Sequence, residues 1–150
     1  MIYVTRKEHF NAAHRLHNPE KSDSWNQEVF GKCNHPNWHG HNYTLEVTVA
    51  GYVHPDTGYV IDLGNLKGII YNRVISKCDH RNLNLDVDFI KGVIPSTENL
   101  ARLFFEQMAG DIEQNCPAGG KLYAVKLFET ENNIAQFIPE LIPQVERATE

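Results

Sequence analysis

The chain of 150 residues is 41% hydrophobic and 22% charged, a balance that suits a folded globular chain, and its length suits a single domain over 1–150. Fourteen Lys and Arg against nineteen Asp and Glu give a formal net charge of −5, leaving no basic excess to grip a nucleic-acid backbone. No apolar run approaches the roughly 18 residues of a membrane span, and the opening residues Met1 to Glu8 lack a signal-peptide core, so no membrane partner and a cytoplasmic location are expected.

Residues 2–14 read as a first strand, with Ile2, Val4, Phe10, Ala12 and His14 in one alternation frame. Arg6 and Glu8 break that frame, which suits a bulge or an exposed start. Residues 18–31 are polar and read as a loop with room for one short helix. Residues 39–53 give the clearest strand: His39, His41, Tyr43, Leu45, Val47 and Val49 share one face, and Asn42, Thr44, Glu46 and Thr48 the other. Turn chemistry at 54–58 lets residues 59–61 return as a strand. Asp62 is a helix N-cap, followed by an apolar stripe of Leu63, Leu66, Ile70 and Val74 with Ile69 beside it. Residues 76–95 form a long connection.

Pro95-Ser96-Thr97-Glu98 starts a second helix whose apolar face is Leu100, Leu103, Phe104, Met108 and Ile112. Residues 121–130 alternate again, with Tyr123, Val125, Leu127 and Glu129 on one side, and 134–138 make a last strand. The tail from about 139–150 carries no assignment. This order predicts an α+β plan, an antiparallel sheet with helices on one face. Cys33, Cys78 and Cys116 are too few, and odd in number, for a disulfide framework, so reduced thiols are expected.

Histidine is the anomaly, with seven of eight in the first 54 residues. His39-Gly40-His41 puts two imidazoles on one side of a strand. Taken alone the pair is equally polar edge surface. A third imidazole completes a three-ligand zinc site with an open position, and His14, ending its own alternation, is the candidate. His9, His17, His35 and His54 read as surface residues, and Glu46 lies on the wrong face. Cys33 is either a fourth ligand, which closes the site, or an unbound base beside it. Asp79-His80 can act as a carboxylate–imidazole pair, although by itself it reads as a solvated helix-end turn, and Cys78 reads as buried filler. Glu129 ends an apolar face, where a carboxylate needs a partner or a ligand. Thr97 and Glu98 open the second helix, where an acid suits the dipole.

Five motifs then occur in a telling order: Phe10-Asn11-Ala12-Ala13-His14-Arg15-Leu16, Gly31-Lys32-Cys33-Asn34-His35-Pro36-Asn37-Trp38-His39-Gly40-His41-Asn42-Tyr43, Asp79-His80-Arg81-Asn82-Leu83, Ser96-Thr97-Glu98-Asn99 and Glu129-Thr130-Glu131-Asn132-Asn133. Over about residues 3–138 the chain resembles the 6-pyruvoyl-tetrahydropterin synthase and 6-carboxy-tetrahydropterin synthase family. The resemblance implies a tunnelling fold (T-fold), with a four-stranded antiparallel sheet and two helices on one face, a barrel-forming trimer and a homohexamer of two stacked trimers. It implies a lyase of tetrahydrobiopterin biosynthesis that uses Zn²⁺ to convert 7,8-dihydroneopterin triphosphate to 6-pyruvoyl-tetrahydropterin with triphosphate elimination. His14, His39 and His41 resemble the zinc ligands and Cys33 the general base. Asp79 and His80 resemble a dyad supplied by a neighbouring subunit, Glu129 the pterin anchor, and Thr97 and Glu98 the rest of the pterin pocket.

The sister activity, 6-carboxy-5,6,7,8-tetrahydropterin synthase of queuosine biosynthesis, uses the same substrate and releases acetaldehyde. Its members carry a shorter spacing between the Cys and the His-Gly-His than the five residues Asn34 to Trp38 here. A third reading is a non-catalytic zinc-binding module with Cys33 as structural ligand, against which Glu129 on an apolar face speaks. His35 and Trp38 depart from the family pattern, which more often has Asn and Gly there. Arg15 and Lys32 are the basic side chains beside the motifs that could meet the triphosphate.

Overall fold

A computed structural model describes residues 1–139, so the expected tail beyond Pro139 lies outside the described residues. In chain order the elements are β1 (Ile2–His14), α1 (Asp23–Phe30), β2 (His39–Gly51), α2 (Leu63–Ile70), β3 (Arg81–Asn82), α3 (Thr97–Gln114), β4 (Lys121–Phe128) and β5 (Ile134–Phe137). A tight turn at Gly31–Asn34 follows α1. A wide π-type turn at Tyr71–Ile75 and a last turn at Ser76–Cys78 extend α2.

The sheet has five strands in the order β3-β1-β2-β4-β5. This corrects the expected four-stranded antiparallel sheet: β3 adds a parallel pairing at Ala12 and Ala13, too short to show any alternation in sequence. β1 and β2 pair antiparallel without a break from Ile2↔Gly51 to His14↔His39. No bulge forms at Arg6 and Glu8, because each meets the other's charge, with Arg6 Nε donating to Glu8 Oε1 at 2.9 Å.

Residues 59–61 are not a strand. They close the loop on itself, with the His54 amide donating to the Tyr59 carbonyl, and then bury Val60 and Ile61 ahead of α2. Asp62 caps that helix, its carboxylate accepting from the Asn65 amide at 2.9 Å. The apolar stripe begins at Leu66, since Leu63 in the first turn is 52% exposed. The helical path runs to Cys78, so the long connection starts later than residue 76.

A register shift between Thr48 and Val49 alters the alternation of β4. Leu122 is buried before it and Ala124, Val125 and Leu127 after it, while Tyr123, which the shift leaves out of the pairing, packs on Tyr3 outside the core. α3 packs on β4 and β5, and α2 on β1 and α3. Between sheet and helices Phe10 stacks on Tyr43 at 4.8 Å and meets Phe104 edge-on at 5.8 Å. Fully burying one such ring contributes roughly 2–3 kcal/mol. All five residues of the predicted apolar face of α3 are buried. Among the described residues no helix is long and apolar enough to cross a membrane.

Candidate active site

The register of the β1–β2 ribbon creates the site. His14 lies directly opposite His39, and Ala12 opposite His41, so the three imidazoles rise from one face of two adjacent strands. Their ring centroids stand 4.7 Å (His14–His39), 5.1 Å (His14–His41) and 5.0 Å (His39–His41) apart. One nitrogen from each lies within 4.8 Å of the others, so the cluster can bind a metal ion. Gly40 between the two strand histidines faces the neighbouring backbone, where a β-carbon would sit 3.3 Å from the Ala12 carbonyl oxygen.

Nitrogen accounting tests that fit. His14 Nδ1 lies 2.8 Å from the Pro95 carbonyl oxygen, an acceptor only, so Nδ1 carries the proton and Nε2 offers a lone pair. Among the described residues, His14 Nε2, both nitrogens of His39 and His41 Nε2 are buried without a hydrogen-bond partner. Leaving such groups unpaired costs about 1–3 kcal/mol each, and a metal ion relieves it. Burial lowers the His14 pKa from 6.5 to about 4, with the neighbouring His39 and His41 adding to the shift and the Pro95 carbonyl opposing it. Burial, then His41, lowers His39 as well. Both rings are thereby held in the neutral, ligating form.

Glu129 follows β4 in frame with Val125 and Leu127. Its Oε1 lies 3.7 Å from His41 Nε2 and its Oε2 3.8 Å from His14 Nε2, which puts the carboxylate directly beside the cluster. The Thr97 hydroxyl donates to Glu129 Oε2 at 2.9 Å, which orients the carboxylate from the first turn of α3. Thr97, Glu98 and Glu129 line one cleft of about 450 Å³. Glu129 also lines a second cleft of about 580 Å³, with Lys32, Cys33, His35, Trp38, His39 and His41. Cys33 is half-buried there and lies outside the three-histidine cluster. Its carbonyl accepts from the Leu16 amide at 2.9 Å, tying the turn to the chain just after His14.

Asp79 and His80 lie elsewhere. Asp79 Oδ1 accepts from the Asn11 amide at 2.9 Å and stands 3.0 Å from His80 Nδ1, and the His80 amide donates to the Asn11 carbonyl. The Asn11 amide, more than His80, holds the Asp79 carboxyl below its usual range. The pair docks at the β1 edge, with Asp79 lining a cleft beside Asn11, Asn42 and Thr44 and the His80 side chain 81% exposed. Within one chain the structure therefore brings together His14, His39, His41, Cys33, Glu129 and Thr97, and keeps the Asp79–His80 pair apart from them.

Other assignments separate as well. Glu46 pairs with Lys7 on the far face. His9 and His35 are exposed, whereas His17 and His54 are half-buried, because His17 bonds Asn34 Oδ1 at 2.8 Å and His54 braces its own turn. Cys78 is buried, and burial pushes its thiol up to about 12. Arg15 donates to the Asn34 carbonyl at 2.8 Å, so it is a strut, while Lys32 reaches the cleft. The sequence reading missed the Pro95 carbonyl and the Tyr43 hydroxyl, 3.3 Å from His14 Nδ1. No local signal marks a backbone acceptor 81 positions away.

The family described as 6-pyruvoyl tetrahydropterin synthase matches residues 3–140. A 6-pyruvoyl tetrahydrobiopterin synthase from Poecilia reticulata is 42% identical over 135 residues, 90% of this chain and 88% of that protein. Its Homo sapiens counterpart is 41% identical over 134 residues, 89% of each chain. The solved structure of Caenorhabditis elegans 6-pyruvoyl tetrahydropterin synthase superimposes with a TM-score of 0.81 at 40% identity, covering 91% of this chain and 94% of that one. A putative 6-carboxy-5,6,7,8-tetrahydropterin synthase from Archaeoglobus fulgidus matches over 71 residues, 47% of this chain. Extent of match, identity and fold agree, and the chain belongs to the 6-pyruvoyl tetrahydropterin synthase family of enzymes.

Proposed function

We propose that the protein is a zinc-dependent lyase that converts 7,8-dihydroneopterin triphosphate to 6-pyruvoyl-tetrahydropterin with elimination of triphosphate. The observation that carries this reading is the convergence of three imidazoles, with buried unpaired nitrogens, beside a carboxylate already oriented by a hydroxyl. His14, His39 and His41 would hold zinc with a position left for substrate, and the ion there would supply Lewis acidity toward the hydroxyls of the substrate's side chain.

The protein's own groups supply the rest. A pterin edge presents a ring N–H and an exocyclic amine side by side. The two oxygens of Glu129 accept from both, a charge-assisted bidentate grip, while Thr97 fixes the carboxylate and Glu98 completes the pocket. Cys33, as thiolate, removes a carbon-bound proton from the side chain. Its half-buried place in the cleft, outside the histidine cluster, suits a base better than a ligand. Asp79 orients the His80 ring, which relays the proton from a neighbouring subunit. The exposed His80, and β3 and β5 as the edge strands among the described residues, support an assembly in which trimers close a barrel and two trimers stack into a homohexamer. The net change is an elimination with an internal redox rearrangement, which balances without nicotinamide or flavin.

The match to pyruvoyl-type relatives over nine-tenths of the chain supports the pyruvoyl product over the carboxy product. Product analysis tests it: zinc-loaded protein given 7,8-dihydroneopterin triphosphate should release triphosphate and 6-pyruvoyl-tetrahydropterin. Release of acetaldehyde with a 6-carboxy pterin would overturn the assignment.

A further inference from the structure

Trp38 is unusual on two independent counts. Its backbone lies in the left-handed region at φ +69°, where a bulky side chain is strained and glycine or asparagine is at home. The position is set by a turn that needs no indole. The Trp38 amide donates to the His35 carbonyl at 3.0 Å, Pro36 presets the turn, and the Asn37 amide donates to His35 Nδ1 at 3.1 Å. A smaller residue closes the same turn with less strain, so an account of the tryptophan has to come from its side chain.

The second count is where that side chain goes. Trp38 lines the cleft that holds Cys33, His39, His41 and Glu129. The other tryptophan, Trp25, packs instead on Phe30. Among the lining groups both His39 nitrogens and His41 Nε2 are buried, Trp38 is half-buried, and Lys32 and His35 are exposed. A substrate side chain anchored at the histidine cluster would share this cleft with Trp38 and Lys32.

We propose that Trp38 is a specificity-determining residue that selects the length of the phosphate tail. The inference rests on the pterin-phosphate reading above. A phosphate that ends beside the indole exchanges water for an apolar wall with no hydrogen bond in return, which is costly for a charged group. A chain of phosphates carries its outer charges past the indole to the Lys32 ammonium and to water. The wall therefore favours the triphosphate over the monophosphate ester of the same dihydropterin.

The test compares kcat/KM for 7,8-dihydroneopterin triphosphate and monophosphate on zinc-loaded wild type, Trp38→Gly, Trp38→Asn and Trp38→Phe. Where the monophosphate turns over too slowly, its Ki against the triphosphate reaction reads the same preference. The triphosphate preference should fall by about tenfold or more in the Gly and Asn variants, through gain on the monophosphate, and stay within about threefold of wild type in the Phe variant. Both small variants should melt no lower than wild type, since each relieves the backbone. An unchanged preference in both small variants overturns this role and leaves the functional reading standing. A wild type that eliminates phosphate from neither ester overturns that reading, and this inference with it.

Discussion

Cys33 and His41 line the same cleft, yet their removal should read differently. His41→Ala leaves two imidazoles where three are needed, so zinc and turnover should be lost together. Cys33→Ala removes the proposed proton acceptor outside the cluster, so zinc should stay at full occupancy while turnover falls by about 100-fold or more. Metal analysis after dialysis, alongside the rate, separates the two, and zinc loss from Cys33→Ala would make the thiolate a ligand. His14 adds a pH dependence whose sign follows from its depressed value. In metal-free protein the unfolded chain binds a proton at 6.5 that the folded chain refuses until about 4. The contribution is whole above 6.5 and is lost as pH falls through that window, by on the order of 3 kcal/mol for this group. Urea titrations of chelator-stripped protein at pH 7 and pH 5 should show a steeper loss in wild type than in His14→Gln.

At the scale of elements, α3 holds the site by its N-terminal turn. Pro95 grips His14, Ser96 accepts from the Asn99 amide at 3.2 Å as N-cap, and Thr97 fixes Glu129. Ser96→Ala should cost about 1 kcal/mol of stability. It should also weaken zinc affinity, because the Pro95 carbonyl sits next to the frayed cap; thermal melts and a chelator competition measure the two effects. Strand periodicity put His39 and His41 on one face and His14 at the end of another strand, and the cap and apolar face of α3 were equally plain in the sequence. Period-two reasoning failed at Tyr123, because the register shift beside Val49 turns β4 partway along its length. It failed again at residues 59–61, where burial without a ladder imitates a strand, and β3 at two residues carries no period at all. The grip of Pro95 on His14 joins positions 81 apart, and a carbonyl has no residue type to reveal it.

At the scale of the whole molecule, the proposed mechanism needs the Asp79–His80 pair at a site it does not share within one chain. The pair is fastened to Asn11 at the β1 edge, with the His80 ring turned to solvent, while Cys33 and the histidine cluster open into a different cleft. β1 pairs with β2 from Ile2 to His14, so Asn11, to which the pair is fastened, is itself held in the sheet. Assembly solves the geometry if one subunit offers the thiolate and its neighbour the imidazole. Mixed oligomers test it. Cys33→Ala and His80→Ala subunits, each inactive alone, are unfolded together in equal amounts and refolded. Sites that pair Cys33 from one with His80 from the other are then intact. Random assembly makes about a quarter of the sites of this kind, so activity should return to about a quarter of wild type. If the two residues worked within one chain, no mixed site would be whole, and the refolded mixture would stay at the level of its inactive parents.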